Sequence, residues 1–171
     1  NSSMLSAHVL QGRRADSRTR ASRGASGPTA RSGRRMPRDG PVAASKGRAL
    51  DFAVPEAPVA VSGDPTLLEQ AISNLVHNAI RYGFASGHVA VVLHAGPDFR
   101  LDVVDDGPGV DDATLARMTE PRFRSEEART RHPDGQGLGL AIARDVAGRH
   151  GMQLDFAHGP DGKGLRATLR S

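Results

Sequence analysis

Three short strings in this 171-residue sequence hold residues whose types and spacing suit ligand chemistry. Asn74 and Asn78 are four positions apart, so they stack on one side of any helix that contains them. Gln70, one turn earlier, and Tyr82, one turn later, prolong that stripe. Asn is a poor helix-interior residue because its amide competes for backbone partners. Two in register either hold a hard cation or its waters beside phosphates, or are simply solvated amides. The second string is Val103-Val104-Asp105-Asp106-Gly107-Pro108-Gly109, where an apolar run gives way to a carboxylate and glycines. A buried carboxylate there can accept a hydrogen bond from an exocyclic amine such as adenine N6, while the glycines admit a close backbone approach. The same letters also describe an ordinary Asp-Gly turn. The third string, Gly135-Gln136-Gly137-Leu138-Gly139-Leu140, opens a predicted helix. It offers free backbone N–H groups at a helix N-terminus, where anions are favoured. It is neither the Gly-x-Gly-x-x-Gly dinucleotide pattern nor a P-loop, since no Gly-Lys-Ser/Thr follows.

The elements that must position these strings are legible from periodicity. Ala49–Val54 and Pro58–Val61 predict two short strands around a Pro-rich turn. Asp64-Pro65 predicts an N-cap with Pro at the first helical position. Leu67, Leu68, Ala71, Ile72, Leu75, Val76, Ala79 and Ile80 then give a helix over 65–82 one broad apolar face. His88–Ala95 and Phe99–Asp105 predict an antiparallel pair joined through Gly96-Pro97-Asp98. A short helix near Asp111–Met118 follows, then a polar stretch to Gly135, then a long helix from about Leu138 to His150. Met152–Ala157 and Leu165–Leu169 read as strands around a Gly/Asp turn at 159–164. Interspersed strands and helices with several antiparallel connections predict an α+β two-layer sandwich.

Composition excludes much else. The chain has no Cys, so disulfides, zinc–cysteine sites and cysteine nucleophiles are ruled out. No apolar run approaches the roughly 18–20 residues that span a bilayer, and Asn1–Leu10 is too short and polar to read as a signal peptide. Aromatic residues make up only 4% and Trp is absent, which argues against base-stacking platforms. The formal net charge of +4 is unevenly distributed: residues 1–40 hold 9 Arg and 2 Asp, so the remainder is mildly acidic. No nucleic-acid binding is therefore expected of the folded part. Residues 1–45 read as an Arg/Ser/Gly-rich tail or linker with too few large apolar side chains to fold, with a possible helix end at Met4–Leu10. Residues 46–171 read as the folded domain.

Taken in order, the three strings resemble the ATP-binding catalytic domain of sensor histidine kinases, within the GHKL ATPase/kinase superfamily. Leu75-Val76-His77-Asn78-Ala79-Ile80-Arg81-Tyr82 looks like the N box, Asp105-Asp106-Gly107-Pro108-Gly109 is similar to the G1 box, and Gly135–Leu140 to the G2 box. Gly63-Asp64-Pro65 and His150-Gly151 also look familial, and the resemblance spans roughly 46–170. It implies a mixed, mostly antiparallel sheet packed on about three helices, with ATP and Mg²⁺ as ligands. By the same resemblance Asn78 would coordinate Mg²⁺, Asn74 and Arg81 would lie near the phosphates, and Tyr82 would lie against the nucleotide. Asp105 would read the adenine amine with support from Gly107 and Gly109, and 110–134 would form a lid carrying Arg124 to the nucleotide. Gly135, Gly137, Leu138, Gly139 and Leu140 would close around the phosphates.

The ATPase branches of that superfamily, and its serine kinases, carry a Glu general base one turn before the metal-binding Asn. Asn74 stands there instead, an amide without useful basicity. A histidine acceptor brings its own ring lone pair and needs no such base. By the resemblance, Asn74, Asn78 and Arg81 are the expected catalytic set for γ-phosphoryl transfer to a His. The expected partners are a dimerisation/phosphoacceptor domain and, downstream, a response regulator. The isolated domain is expected to be a cytoplasmic monomer, either free or as the cytoplasmic part of a membrane sensor. A non-catalytic, nucleotide-dependent interaction module and a GHKL ATPase are the alternatives. Two departures stand out. Glu120-Pro121-Arg122-Phe123-Arg124 has Arg122 where the family's Phe box has its first Phe. His8, followed by Val9-Leu10, lacks the acidic neighbour of a phosphoacceptor, and His77, His88, His94, His132, His150 and His158 read as surface or packing residues.

Overall fold

Residues 49–171 are described by a computed structural model; the expected tail at 1–45, its boundary with the domain and the helix end at 4–10 lie outside the described residues. The elements run β1 (Ala49–Ala53), α1 (Pro65–Tyr82), β2 (His88–Leu93), β3 (Arg100–Asp105), α2 (Asp112–Arg117), α3 (Glu126–Arg131), α4 (Gly139–Arg149), β4 (Gln153–His158) and β5 (Leu165–Arg170). They form one five-stranded sheet in the order β1-β2-β3-β5-β4. Only β1 and β2 pair in parallel, which a crossover through α1 makes possible; every other pairing is antiparallel. The α+β sandwich is as expected.

Strand alternation sorts the sheet into two faces. Leu50, Val89, Val91, Leu101, Val103, Ala167 and Leu169 point to one side and are buried there under Leu68, Ala71, Leu75 and Ala79 of α1 and Ala143, Val146 and Ala147 of α4. Small residues at Ala71, Ala79, Ala143 and Ala147 let the two long helices lie close to the sheet and to each other. The other face carries no helix of the described residues, and its strands present polar side chains such as Asp102, Thr168 and Asp155.

Two expectations need correction. Pro58–Val61 is not a strand. Pro55 and Pro58 remove donors from a ladder, and Val61 instead packs into the core at 7% exposure, with Val59 partly buried against the same core. The polar stretch before Gly135 contains a helix, α3, whose N-cap is Ser125: its side-chain oxygen accepts the Ala128 N–H. Among the described residues, no helix is long and apolar enough to cross a membrane.

Candidate functional site

α1 is held at its start by a set of contacts to the end of α4. Asp64 caps it, Oδ1 accepting the N–H groups of Thr66 at 2.8 Å and Leu67 at 3.2 Å. The Asp64 N–H donates to His150 Nε2 at 3.0 Å, and the opposite ring nitrogen lies 2.7 Å from the Val146 carbonyl. Those partners assign the tautomer, with the proton on Nδ1. Gly63 packs flat on this imidazole, where a Cβ would collide with the ring. His150 is thus the packing residue expected of it. Beyond this lock, one stripe of α1 at i, i+3, i+4 and i+7 (Asn74, His77, Asn78 and Arg81) turns to a cavity of about 210 Å³, and Tyr82 closes the row. Gln70, expected on the same stripe, is exposed and does not reach the cavity.

At the C-terminal end of α1 the cavity meets the end of β3. Asp105 is only 6% exposed, with Oδ1 accepting the Gly107 N–H at 2.9 Å. Burial raises its pKa above the ordinary carboxylate value and the Asp106 charge adds to that, while backbone N–H groups of Gly107 and Leu165 offset it in part. Gly107 is obligatory: a Cβ would come within 2.8 Å of Asp105 Oδ1 and 2.9 Å of the Tyr82 carbonyl. Asp106 accepts the His88 N–H at 2.8 Å and returns its own N–H to the His88 carbonyl at 3.2 Å, fastening this turn to β2. A further glycine, Gly164 at the entrance to β5, has φ +68 and leaves no room for a Cβ against the Asp105 carbonyl. The sequence marked 159–164 only as a turn; nothing in its letters tells that Gly164 is pressed against Asp105.

The third string lines the far wall. Gly135 lies between two guanidinium groups: a Cβ there would be 3.1 Å from Arg81 and 3.3 Å from Arg124. Gly139, the first residue of α4, approaches Asn74 Oδ1, to which a Cβ would stand 3.6 Å away. No side chain caps α4, so its first N–H groups remain available. Arg124 lines the cavity while its guanidinium donates to the carbonyls of Ala128, His132 and Pro133, tying down the C-terminal end of α3. Among the described residues, two buried side-chain polar atoms are without a partner: Asn74 Nδ2 and Arg124 Nε.

Of the expected residues, Asn74, Asn78, Arg81, Tyr82, Asp105, Gly109, Arg124, Gly135, Gly137, Gly139 and Leu140 line this single cavity. Gly107 and Leu138 stand behind it, the one bonded to Asp105 and the other at the N-cap of α4. His77, Phe123 and Arg131 also line it and were not singled out by their spacing. Phe123 lies under the Arg117 guanidinium, 4.3 Å from its ring centroid, and Tyr82 meets His132 edge-on at 5.1 Å. Arg122, at the altered Phe-box position, has φ 63 and donates its N–H to the Gly137 carbonyl at 3.0 Å.

This wall suits a polyanion. The cavity holds the guanidinium groups of Arg81, Arg131 and the carbonyl-bound Arg124 against the carboxylates of Asp105 and Glu127, with an uncapped helix start, an unpartnered buried amide, and glycines where side chains would fill the space. No group of three or more His, Cys, Asp or Glu among the described residues is arranged to hold a metal alone. An amide oxygen supplemented by phosphates and water fits a hard cation such as Mg²⁺, which keeps several of its own waters.

A mixed sheet under two long helices, with an amide stripe, a buried carboxylate and a glycine-rich helix entrance around one cavity, defines the GHKL class of domains. Residues 63–171 match the family described as histidine kinase-, DNA gyrase B-, and HSP90-like ATPase, and the chain belongs to it. It is 35% identical over 127 residues to the signal transduction histidine-protein kinase BaeS of Escherichia coli K12, covering 74% of this chain and 27% of that protein. It is 40% identical over 114 residues to the sensor histidine kinase GtrS of Pseudomonas aeruginosa, covering 63% of this chain and 21% of that protein. The chain therefore spans about a quarter of the length of such relatives. Among solved structures, the mycobacterial sensor histidine kinase MprB superposes with TM-score 0.60 at 29% identity, over 71% of this chain and 80% of that one. Full-length ShkA in complex with AMPPNP gives 0.61 at 27%, over 74% and 26%.

Proposed function

We propose that this domain, residues 46–171, binds Mg-ATP and donates the γ-phosphoryl group to a His on a separate dimerisation domain, from which a response regulator takes it in turn. The observation that carries this reading is the convergence of the amide stripe, Asp105 and the uncapped glycine-rich start of α4 on one cavity. The nucleotide-analogue complex of its structural relative ShkA supports the ligand class. Asp105 accepts the adenine amine, and its backbone partners hold the carboxylate in place for it. Arg81 and the first N–H groups of α4 bind phosphate oxygens, and the Asn74 amide, otherwise unpartnered, donates to one. Asn78 would hold Mg²⁺ through its oxygen, and the cation would supply neutralisation of phosphate charge. No carboxylate lies on the stripe of α1 that lines the cavity, so this stripe positions the γ-phosphoryl group without activating water. That favours transfer to an acceptor His over hydrolysis. The domain then works on the cytoplasmic side of a membrane sensor.

The test is a calorimetric titration of the chain with a non-hydrolysable ATP analogue in Mg²⁺ buffer, followed by mixing with labelled ATP and a cognate acceptor-helix domain. Saturable binding and label on the acceptor His are expected. No binding at millimolar nucleotide would overturn the reading, and binding without transfer would leave a nucleotide-dependent interaction module.

A further inference from the structure

We infer that His77 is a specificity residue for the terminal phosphate; this deepens the nucleotide reading above and rests on it. His77 lines the cavity, is exposed, and has no hydrogen-bond or ion-pair partner among the described residues. It lies three positions after Asn74 and four before Arg81, so all three share one side of α1.

The two ends of the cavity are fixed by contacts. Asp105 sits against the C-terminal end of α1, where the Gly107 backbone packs on the Tyr82 carbonyl and on Gly83. Asn74 marks the opposite end, beside Gly139 at the start of α4. A nucleotide whose base is read at Asp105 and whose phosphates meet α4 therefore runs along α1 toward its N-terminus. At 1.5 Å per residue, His77 lies about 4.5 Å along the axis from Asn74 and about 7.5 Å from Tyr82. That puts its imidazole on the Asn74 side of Asn78, nearer the start of α4 than Tyr82 is. A neutral imidazole offers one N–H donor and an imidazolium two, and His77 spends none of them on a partner among the described residues. The last phosphate is the one that distinguishes ATP from ADP, so His77 contributes to triphosphate affinity and little to diphosphate affinity.

The experiment titrates the full chain with a non-hydrolysable ATP analogue and, separately, with ADP, in Mg²⁺ buffer, for wild type, His77→Ala and His77→Gln. His77→Ala is expected to weaken the triphosphate analogue about fivefold to tenfold, the effect of one lost hydrogen bond. ADP should change less than about twofold, and His77→Gln, which keeps an N–H donor, should recover part of the triphosphate affinity. Equal weakening of both nucleotides, or no change in either, would overturn the inference. Wild-type chain that binds neither would overturn the nucleotide reading instead. Thermal unfolding without ligand checks that both variants are folded; an exposed position predicts unchanged midpoints.

Discussion

Asp102 and Asp105 lie three residues apart on one strand, both 6% exposed, and they are set up in opposite ways. Alternation turns Asp102 to the sheet face opposite α1 and α4 and Asp105 to the face they cover, in line with Leu101 and Val103. Asp102 is saturated by side chains: the Thr168 hydroxyl donates at 2.7 Å, His94 lies at 2.8 Å, and the Arg100 guanidinium donates at 3.1 and 3.3 Å. Burial alone would raise its pKa, but those bonds outweigh it and hold the carboxyl below the ordinary value. Asp105 has backbone N–H partners only, and burial wins. One aspartate serves the fold. The other keeps acceptor capacity in reserve, which suits a carboxylate waiting for a ligand's donor.

The most severe way to break this contrast is to swap the carboxylates one at a time. Asp105→Asn keeps an acceptor for Gly107 but presents a mixed donor and acceptor to the base. It is expected to weaken adenine-nucleotide binding roughly 10- to 100-fold while leaving the unfolding midpoint unchanged or higher, read by titration and by thermal melt. Asp102→Ala should do the converse. Nucleotide affinity stays within twofold or so, and stability falls by about 1–2 kcal/mol in urea unfolding, because Thr168, Arg100 and His94 lose their shared acceptor. If both variants lost affinity and stability together, the division of labour between the two carboxylates would be wrong.

A gentler probe is pH. The folded-state pKa of Asp102 is depressed, so its contribution is present above the ordinary carboxylate value and is lost as pH falls through the folded value. Asp105 is raised, so its contribution is present below the ordinary value and is lost as pH rises through the folded one. The stability advantage of wild type over Asp102→Asn should therefore shrink on acidification. The deficit of wild type relative to Asp105→Asn should grow as pH climbs above the ordinary carboxylate value. Urea melts of the three proteins between about pH 3 and 7 read both slopes.

The same contrast separates what the sequence discloses from what it hides. Local information is plain in the sequence: the apolar face of α1, the Asp64 cap and the glycines at 135–139 are short-range patterns, and the folded chain keeps them. That Asp105 faces the helices also follows from alternation with Leu101 and Val103. What depends on distant partners was hidden. Asp102 gives no local sign of being buried, because its partners come from positions 94, 100 and 168. His77 shows no metal-ligand spacing and so reads as a surface or packing residue, while its i+3 relation to Asn74 puts it on the same helix face. α3 has no apolar period to betray it, being short and without a buried residue, and it is held by a serine cap and by Arg124 at its far end. The parallel β1–β2 pairing is set by the crossover through α1, which no local window contains.

The smallest expected effect sharpens the contrast between the sheet and the segment over the cavity. Among the described residues, Arg122 is the one non-glycine with positive φ, and it lies where the family carries a Phe. A side chain in that left-handed region costs about 1 kcal/mol, which glycine avoids, although glycine gives some of this back through its freer unfolded chain. Arg122→Gly should therefore raise stability by less than about 1 kcal/mol in urea unfolding. The bond from residue 122 N–H to the Gly137 carbonyl uses only backbone, so it survives the change. A gain would locate the local strain in the segment that covers the cavity rather than in the sheet that carries the two aspartates. A clear loss would mean that the Arg122 side chain itself stabilises that segment, outweighing its unfavourable backbone.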